Sequence, residues 1–276
     1  MTKLQEAYLE LFKKVIIDYH RSSMSEYRPI RSKRTLILFS PLLKISKLFK
    51  KNQYVISEKI NFNIDDRING RDWPLYADSM VGLKRLTNVQ NCLIDVIENN
   101  IPGDVIETGV WRGGTVIFMR AILKAFDVDD KTVWVADSFE GLPKPNTQLY
   151  IADENDIHYV FDELRISLEV VKSNFDKYGL LDNQVKFLKG WFKDTLPTAP
   201  IEKLSILRLD GDMYESTMDG LINLYPKLSI GGYCIVDDWG AVEGCKRAVI
   251  DYRNKFNVHE EICEIDGIGV YWKRLA

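Results

Sequence analysis

Five short apolar runs, set apart by segments of helical spacing, constrain this chain more than any other feature. They lie at 105–108, 132–136, 185–188, 204–209 and 233–236, and four of them end in or beside an acid: Glu107, Asp137, Asp210, and the pair Asp237 and Asp238. Short strands alternating with helices specify an α/β sandwich around a mainly parallel sheet. Stretches 261–265 and 270–273 read as a closing antiparallel pair, which makes seven strands in all. Parallel strands of such a sheet end on one rim, and ligands bind beyond that rim. Carboxylates far apart in sequence are therefore expected to converge.

The first run continues as Glu107-Thr108-Gly109-Val110-Trp111-Arg112-Gly113-Gly114 and then into apolar residues at helical spacing, Val116 to Leu123. This is a strand, a tight turn and a helix start, the first unit of a doubly wound nucleotide-binding sheet. Glycines let the backbone approach a ligand, and a helix start offers free N–H groups. The spacing G-x-x-x-G-G is a poor fit to a dinucleotide pyrophosphate. An acid two residues before the first glycine suits an ammonium group, such as the methionyl end of S-adenosylmethionine; a plain glycine-rich turn is the alternative. Asp137, at the end of the second strand, has the position of an acid that accepts hydrogen bonds from ribose hydroxyls, or else of a turn cap. Gly190 and Trp191 follow the third strand, where an adenine ring could lie against backbone or indole.

Asp210-Gly211-Asp212 and Asp237-Asp238 are the most informative acids. Crowded carboxylates repel one another, so a cation usually explains them, and oxygen-only ligands point to a hard ion such as Mg²⁺. No histidine or cysteine lies in these clusters. His20, His158 and His259 form no group and are expected to be structural or exposed, and Cys92, Cys234, Cys245 and Cys263, which lack C-x-x-C spacing, read as reduced thiols of a cytoplasmic protein.

At 276 residues and 46% hydrophobic content, the chain suits one domain with an N-terminal extension: 1–70, then a catalytic unit at 71–276 opened by Arg71-Asp72-Trp73-Pro74. A helix is predicted over 4–19, another from Met80 to Val96, others over 170–178, 217–228 and 244–256, and an exposed polar insertion over 146–156. Residues 21–51 hold nine Lys/Arg against one acid, Glu26, around apolar residues. Such a segment is a lid, an oligomer contact in a homo-oligomer, or a peripheral dock on the inner membrane surface. Net charge −3 argues against nucleic acid as the main partner. A secretory leader is not expected from Met1-Thr2-Lys3-Leu4-Gln5-Glu6, and no apolar run reaches the ~18 residues of a membrane span.

On these residues the chain resembles the macrocin and mycinamicin sugar O-methyltransferase family. The resemblance rests on residues 103–114, on Val135-Ala136-Asp137-Ser138-Phe139-Glu140-Gly141-Leu142-Pro143, on Gly190-Trp191-Phe192, on residues 209–217, and on Val236-Asp237-Asp238. Asp72-Trp73-Pro74 and Ser79-Met80-Val81-Gly82 are similar too, and the likeness spans residues 71–273. It implies a Rossmann-like class I methyltransferase fold and an enzyme that moves a methyl from S-adenosylmethionine to a hydroxyl of a sugar-containing small molecule or glycan. It further implies donor contacts at Met80, Glu107, Thr108, Gly109, Asp137, Ser138, Gly190 and Trp191, Mg²⁺ on Asp210, Asp237 and Asp238, and Asp212 as general base. Two rivals remain open at this stage. A glycosyltransferase would use Asp210-Gly211-Asp212 as a D-x-D motif but leaves Glu107 without a role. A non-catalytic membrane-surface module leaves the rim acids unexplained.

Overall fold

The structure, a computed structural model, describes residues 1–21, 26–29 and 57–276. The basic segment expected to be a lid, oligomer contact or membrane dock lies almost wholly outside the described residues.

Helix α1 (Lys3–Ile16) is closed at its start by a reciprocal cap: the Thr2 hydroxyl accepts from the Gln5 N–H, and the Gln5 side chain accepts from the Thr2 N–H. It ends three residues short of the predicted 4–19, because Asp18 takes a left-handed conformation with φ 57°. Strands β1 (Glu26–Pro29) and β2 (Ser57–Ile60) pair antiparallel as a separate ribbon. Helices α2 (Ile64–Ile68) and α3 (Gly82–Glu98) lead into the alternating unit. That unit runs β3 (Asp104–Thr108), α4 (Gly114–Ala125), β4 (Val133–Asp137), α5 (Leu168–Lys177), β5 (Val185–Lys189), α6 (Phe192–Thr195), β6 (Leu204–Leu209), α7 (Tyr214–Leu224), β7 (Leu228–Val236), α8 (Glu243–Phe256), β8 (Cys263–Glu264) and β9 (Val270–Lys273).

The seven-stranded sheet has the order β5-β4-β3-β6-β7-β9-β8. Strands β3 to β7 are parallel, and β9 lies antiparallel between β7 and β8, as the two closing stretches predict. The chain winds outward from β3 to β5, then crosses back to lay β6 against the other side of β3. That reversal opens a crevice at the carboxyl ends of β3 and β6, the place where open α/β sheets bind ligands.

Both faces of the sheet are covered. Val105, Val133, Val135, Ile206 and Ile235 face a core built with α1, α3, α4 and α5. Ile106, Trp134, Ala136, Leu207 and Cys234 alternate with them and face α7 and α8. Strands buried on both sides read as continuous apolar runs, which is why the sequence shows them so plainly. On α1, Leu9, Phe12 and Ile16 belong to the first of these cores, and the Phe12 ring lies 5.9 Å from that of Phe118 on α4.

Two sequence expectations need correction. The helix predicted over 217–228 starts earlier, at Tyr214, and stops at Leu224. Pro226 then sits in a single 3-10 turn, and β7 begins at Leu228 rather than 233. Gly231 and Gly232 lie inside the strand. Between the pairs Leu204↔Leu228 and Ile206↔Tyr233, β7 advances five residues against two on β6, a bulge that Gly231 allows with φ 88°. The polar stretch 146–156 is not simply an exposed insertion. It holds the 3-10 turn Ile151–Asp153, and buried Asp153 accepts from the backbone N–H of Tyr214 at 2.6 Å and of Glu215 at 3.1 Å. A carboxylate some sixty positions upstream thus caps α7, whose own N-cap residue, Met213, makes no side-chain cap.

The glycines of the first turn are required by the fold itself. A Cβ on Gly109 (φ 82°) would lie 1.6 Å from the carbonyl oxygen of Asp210, and one on Gly114 would lie 2.4 Å from that of Asp78. Gly109 is what lets the end of β3 press against the end of β6. Gly109→Ala is expected to cost at least about 1–3 kcal/mol of folding stability, read as a lower urea midpoint at unchanged slope.

Candidate active site

The crevice is a cavity of about 510 Å³, within the range of small-molecule sites. Its wall includes Met80, Glu107, Gly109, Asp137, Ser138, Gly190, Trp191, Asp210, Asp212, Asp237 and Asp238. Every residue singled out from sequence is there but one. Thr108 is buried beneath the floor, its hydroxyl donating to the Arg208 carbonyl at 3.4 Å.

Alternation along the strands decides which side chains meet. Glu107 lies two residues beyond Val105, Arg208 two beyond Ile206, and Asp237 two beyond Ile235, so all three face the α3–α4 side. Glu107 and Arg208 are register partners on β3 and β6. The fully buried Arg208 guanidinium donates to Glu107, to Asp210 at 2.6 Å, and to Asp237. From α3, Arg85 reaches down to the other oxygen of Asp237 and to Asp266, and donates to the Gly70 carbonyl at 3.0 Å.

Even so, six acids (Glu107, Asp210, Asp212, Asp237, Asp238 and Asp266) face two arginines here. Asp210, Asp237 and Asp238 each offer a carboxylate oxygen within 4.8 Å of the others. Three oxygen donors at that spacing, in excess of the local positive charge, fit a hard divalent cation. The electrostatics record the same excess. Burial, then Asp237, pushes the Asp210 carboxyl up to about 6. Burial, then Asp210, takes Asp212 to about 7, and burial, then Asp212, lifts Asp238 well above the carboxylate range. Burial takes Glu107 to about 8 despite Arg208.

Asp212 stands out by its backbone. It holds a left-handed φ of 58°, and its N–H donates to Asp238 at 3.0 Å. Among the described residues its carboxylate accepts no hydrogen bond, leaving both oxygens to the cavity. Glu107 likewise keeps a buried oxygen, Oε2, without a hydrogen-bond partner. Asp137 differs: it accepts from the N–H of Val110 at 2.8 Å, the N–H of Phe139 at 2.6 Å and the Ser138 hydroxyl at 3.4 Å. It clamps the turns after β3 and β4 together, and a carboxylate's remaining lone pair is free for a hydroxyl.

Against this geometry, the profile of the family described as Macrocin-O-methyltransferase (TylF) matches residues 5–274 of the chain. The chain belongs to the macrocin O-methyltransferase family. It is 57% identical, over 75% of its length and 80% of the relative's, to a demethyldecarbamoylnovobiocin O-methyltransferase of Streptomyces niveus. It is 53% identical, over 77% of its length and 81% of the relative's, to an 8-demethyl-8-(2,3-dimethoxy-alpha-L-rhamnosyl)-tetracenomycin-C 4'-O-methyltransferase of Streptomyces olivaceus. The solved structure of the O-methyltransferase NovP superposes with a TM-score of 0.83 at 45% identity, covering 99% of this chain and all of that one. The protein is therefore an O-methyltransferase of an S-adenosylmethionine-dependent family, with the class I methyltransferase fold.

Sequence reasoning missed several residues in or beneath this methyltransferase's cavity. Arg208 carries a readable signal, an arginine inside a strand buried on both faces, which demands acidic partners. Arg85 carries none, because its partner Asp237 is 152 positions away. His158, expected to be structural or exposed, lies on the cavity wall with Nδ1 2.7 Å from Asp156.

The charge balance sets two expectations. Arg208→Met leaves Glu107 and Asp237 buried with less compensation, so stability is expected to fall by about 3–5 kcal/mol, measured by urea unfolding. Glu107, Asp210, Asp212 and Asp238 bind protons more tightly folded than unfolded. Between about pH 4 and pH 8 the folded state thus holds more protons, and raising the pH removes stability. The melting temperature of chelator-treated protein is expected to fall from pH 5 to pH 8, and added Mg²⁺ to raise it more at pH 8 than at pH 5. A flat, Mg²⁺-insensitive profile would contradict a floor left short of positive charge.

Proposed function

We propose that this methyltransferase transfers the methyl of S-adenosylmethionine to a hydroxyl of a sugar carried by a glycoside, with a divalent cation on Asp210, Asp237 and Asp238 and with Asp212 as general base. The observation that carries the reading is the cluster of those three carboxylates within 4.8 Å of one another, in the same cavity wall as Asp212 and Glu107. The sugar follows from a relative more than half identical whose name specifies 4'-O-methylation of a rhamnosyl-bearing compound.

When bound, S-adenosylmethionine supplies the sulfonium methyl, and Mg²⁺ supplies Lewis acidity that lowers the pKa of an acceptor oxygen. The chain's own residues do the rest. A sugar hydroxyl is almost wholly protonated near neutral pH, so a base must take its proton as its oxygen attacks the methyl carbon and the methyl–sulfur bond breaks, the electron pair staying on sulfur as S-adenosylhomocysteine leaves. Asp212 is suited to that role, since burial and Asp210 bring it to about 7, close to the working pH, and its oxygens are uncommitted. Its strained backbone, anchored on Asp238, aims it from the turn between β6 and α7. Glu107 provides a carboxyl for the donor's ammonium group, and the approach of that cation favours its ionised form. Met80, Thr108, Gly109, Asp137, Ser138, Gly190 and Trp191 complete the donor side in this reading, with Thr108 acting from beneath the floor. Arg85 and Arg208 hold Asp237 and Asp210 in place without consuming all their lone pairs.

Methyl uptake from labelled S-adenosylmethionine, screened over a panel of deoxysugar glycosides with Mg²⁺ or with chelator, tests this function. Asp212→Asn is expected to lower kcat by about 10²–10⁴-fold while donor binding by calorimetry stays near wild type. An Asn variant with wild-type kcat would remove the base. Full activity in chelator would remove the cation.

A further inference from the structure

His158 opens the 3-10 turn His158–Val160, in the long connection between β4 and α5. Its Nδ1 lies 2.7 Å from Asp156 Oδ2, and its backbone N–H donates to Asp156 Oδ1 at 2.9 Å. The Asp156 side chain is 5% exposed and that of His158 30% exposed. A nearly buried carboxylate therefore stands behind a ring that fronts the cavity. The ring is further fixed by Phe161, 6.1 Å away, which meets Trp73 edge-on at 5.2 Å. With Nδ1 engaged by a carboxylate, Nε2 is the polar atom the ring has left, and among the described residues it has no hydrogen-bond partner. Asp212 acts on the imidazole through its field, yet no ion pair joins them. The hydrogen bond to Asp156 holds the imidazole above its usual range, outweighing burial, so the ring is disposed to donate from both nitrogens.

We propose that His158, oriented by Asp156, is an acceptor-binding residue whose Nε2 hydrogen-bonds an oxygen of the acceptor in the space between the ring and Asp212. This rests on the reading of Asp212 as the base beside the reacting hydroxyl. One polar contact on that side would hold the acceptor ring so that a single hydroxyl faces Asp212, which makes His158 a determinant of which hydroxyl is methylated. Asp156 is a positioning residue acting through the imidazole.

The test is steady-state kinetics on the full-length protein with Mg²⁺ and the glycoside panel, alongside calorimetry with S-adenosylmethionine. His158→Ala is expected to raise the acceptor KM roughly tenfold, the loss of one charge-assisted hydrogen bond, with a smaller change in kcat and an unchanged donor Kd. His158→Gln, which returns an N–H near the position of Nε2, is expected to recover most of the loss. Asp156→Asn is expected to move KM in the same direction by less. An acceptor KM within twofold of wild type in His158→Ala overturns the proposal, as does a Gln variant no better than Ala. Should the wild-type protein methylate only a non-sugar hydroxyl, the sugar reading fails and the KM comparison on that acceptor still decides His158. A protein that binds donor but methylates no hydroxyl of the panel overturns both.

Discussion

The site depends on one buried guanidinium. Arg208 sits in the middle strand of the crevice, and its neighbours on both sides, β3 and β7, send acids onto the same face. Without it, Glu107, Asp210 and Asp237 would be buried beside one another with only Arg85 for relief, an arrangement that desolvation makes prohibitive. With it, three strand ends are tied at their tips. The rim is then rigid enough to hold carboxylates where repulsion alone would spread them. Arg85 extends the network to α3 and, through Asp266, to the turn before β9.

That network stops short of neutrality, and the proposed function turns on the shortfall. Asp212 and Asp238 lie outside the reach of either arginine's hydrogen bonds, and burial, then the neighbouring carboxylates, raises the pKa of both. A site that met every acid with an arginine would be stable and inert. One left anionic is matched to cationic ligands, and both a sulfonium donor and a divalent ion answer that description. The same logic separates Asp137 from the others: its charge is spread over two backbone N–H groups and a hydroxyl, so it serves the turns as well as the wall.

Much of this was legible in the sequence, for identifiable reasons. Strands buried on both faces are continuous apolar runs, and acids at their ends share a rim by topology, so Glu107, Asp137, Asp210, Asp237 and Asp238 could be gathered before any coordinates. Boundaries were less secure. The bulged start of β7 was hidden because Ser229, Gly231 and Gly232 read as a turn, and only the pairing with β6 makes them strand. The stretch 146–156 reads as a polar insertion, since nothing local tells that Asp153 caps α7 or that Asp156 braces His158.

The sequence by itself determined the class of the fold, the family and the acids that line the crevice, because periodicity and strand-end position are properties of neighbouring residues. The tertiary structure alone decided how those acids are used. Which carboxylate is paired with Arg208 or Arg85, which is clamped into a turn, and which keeps free oxygens in the cavity are questions of contact between distant segments, 152 positions apart for Arg85 and Asp237. Chain order carries no record of them, since packing and the desolvation of charge act through space.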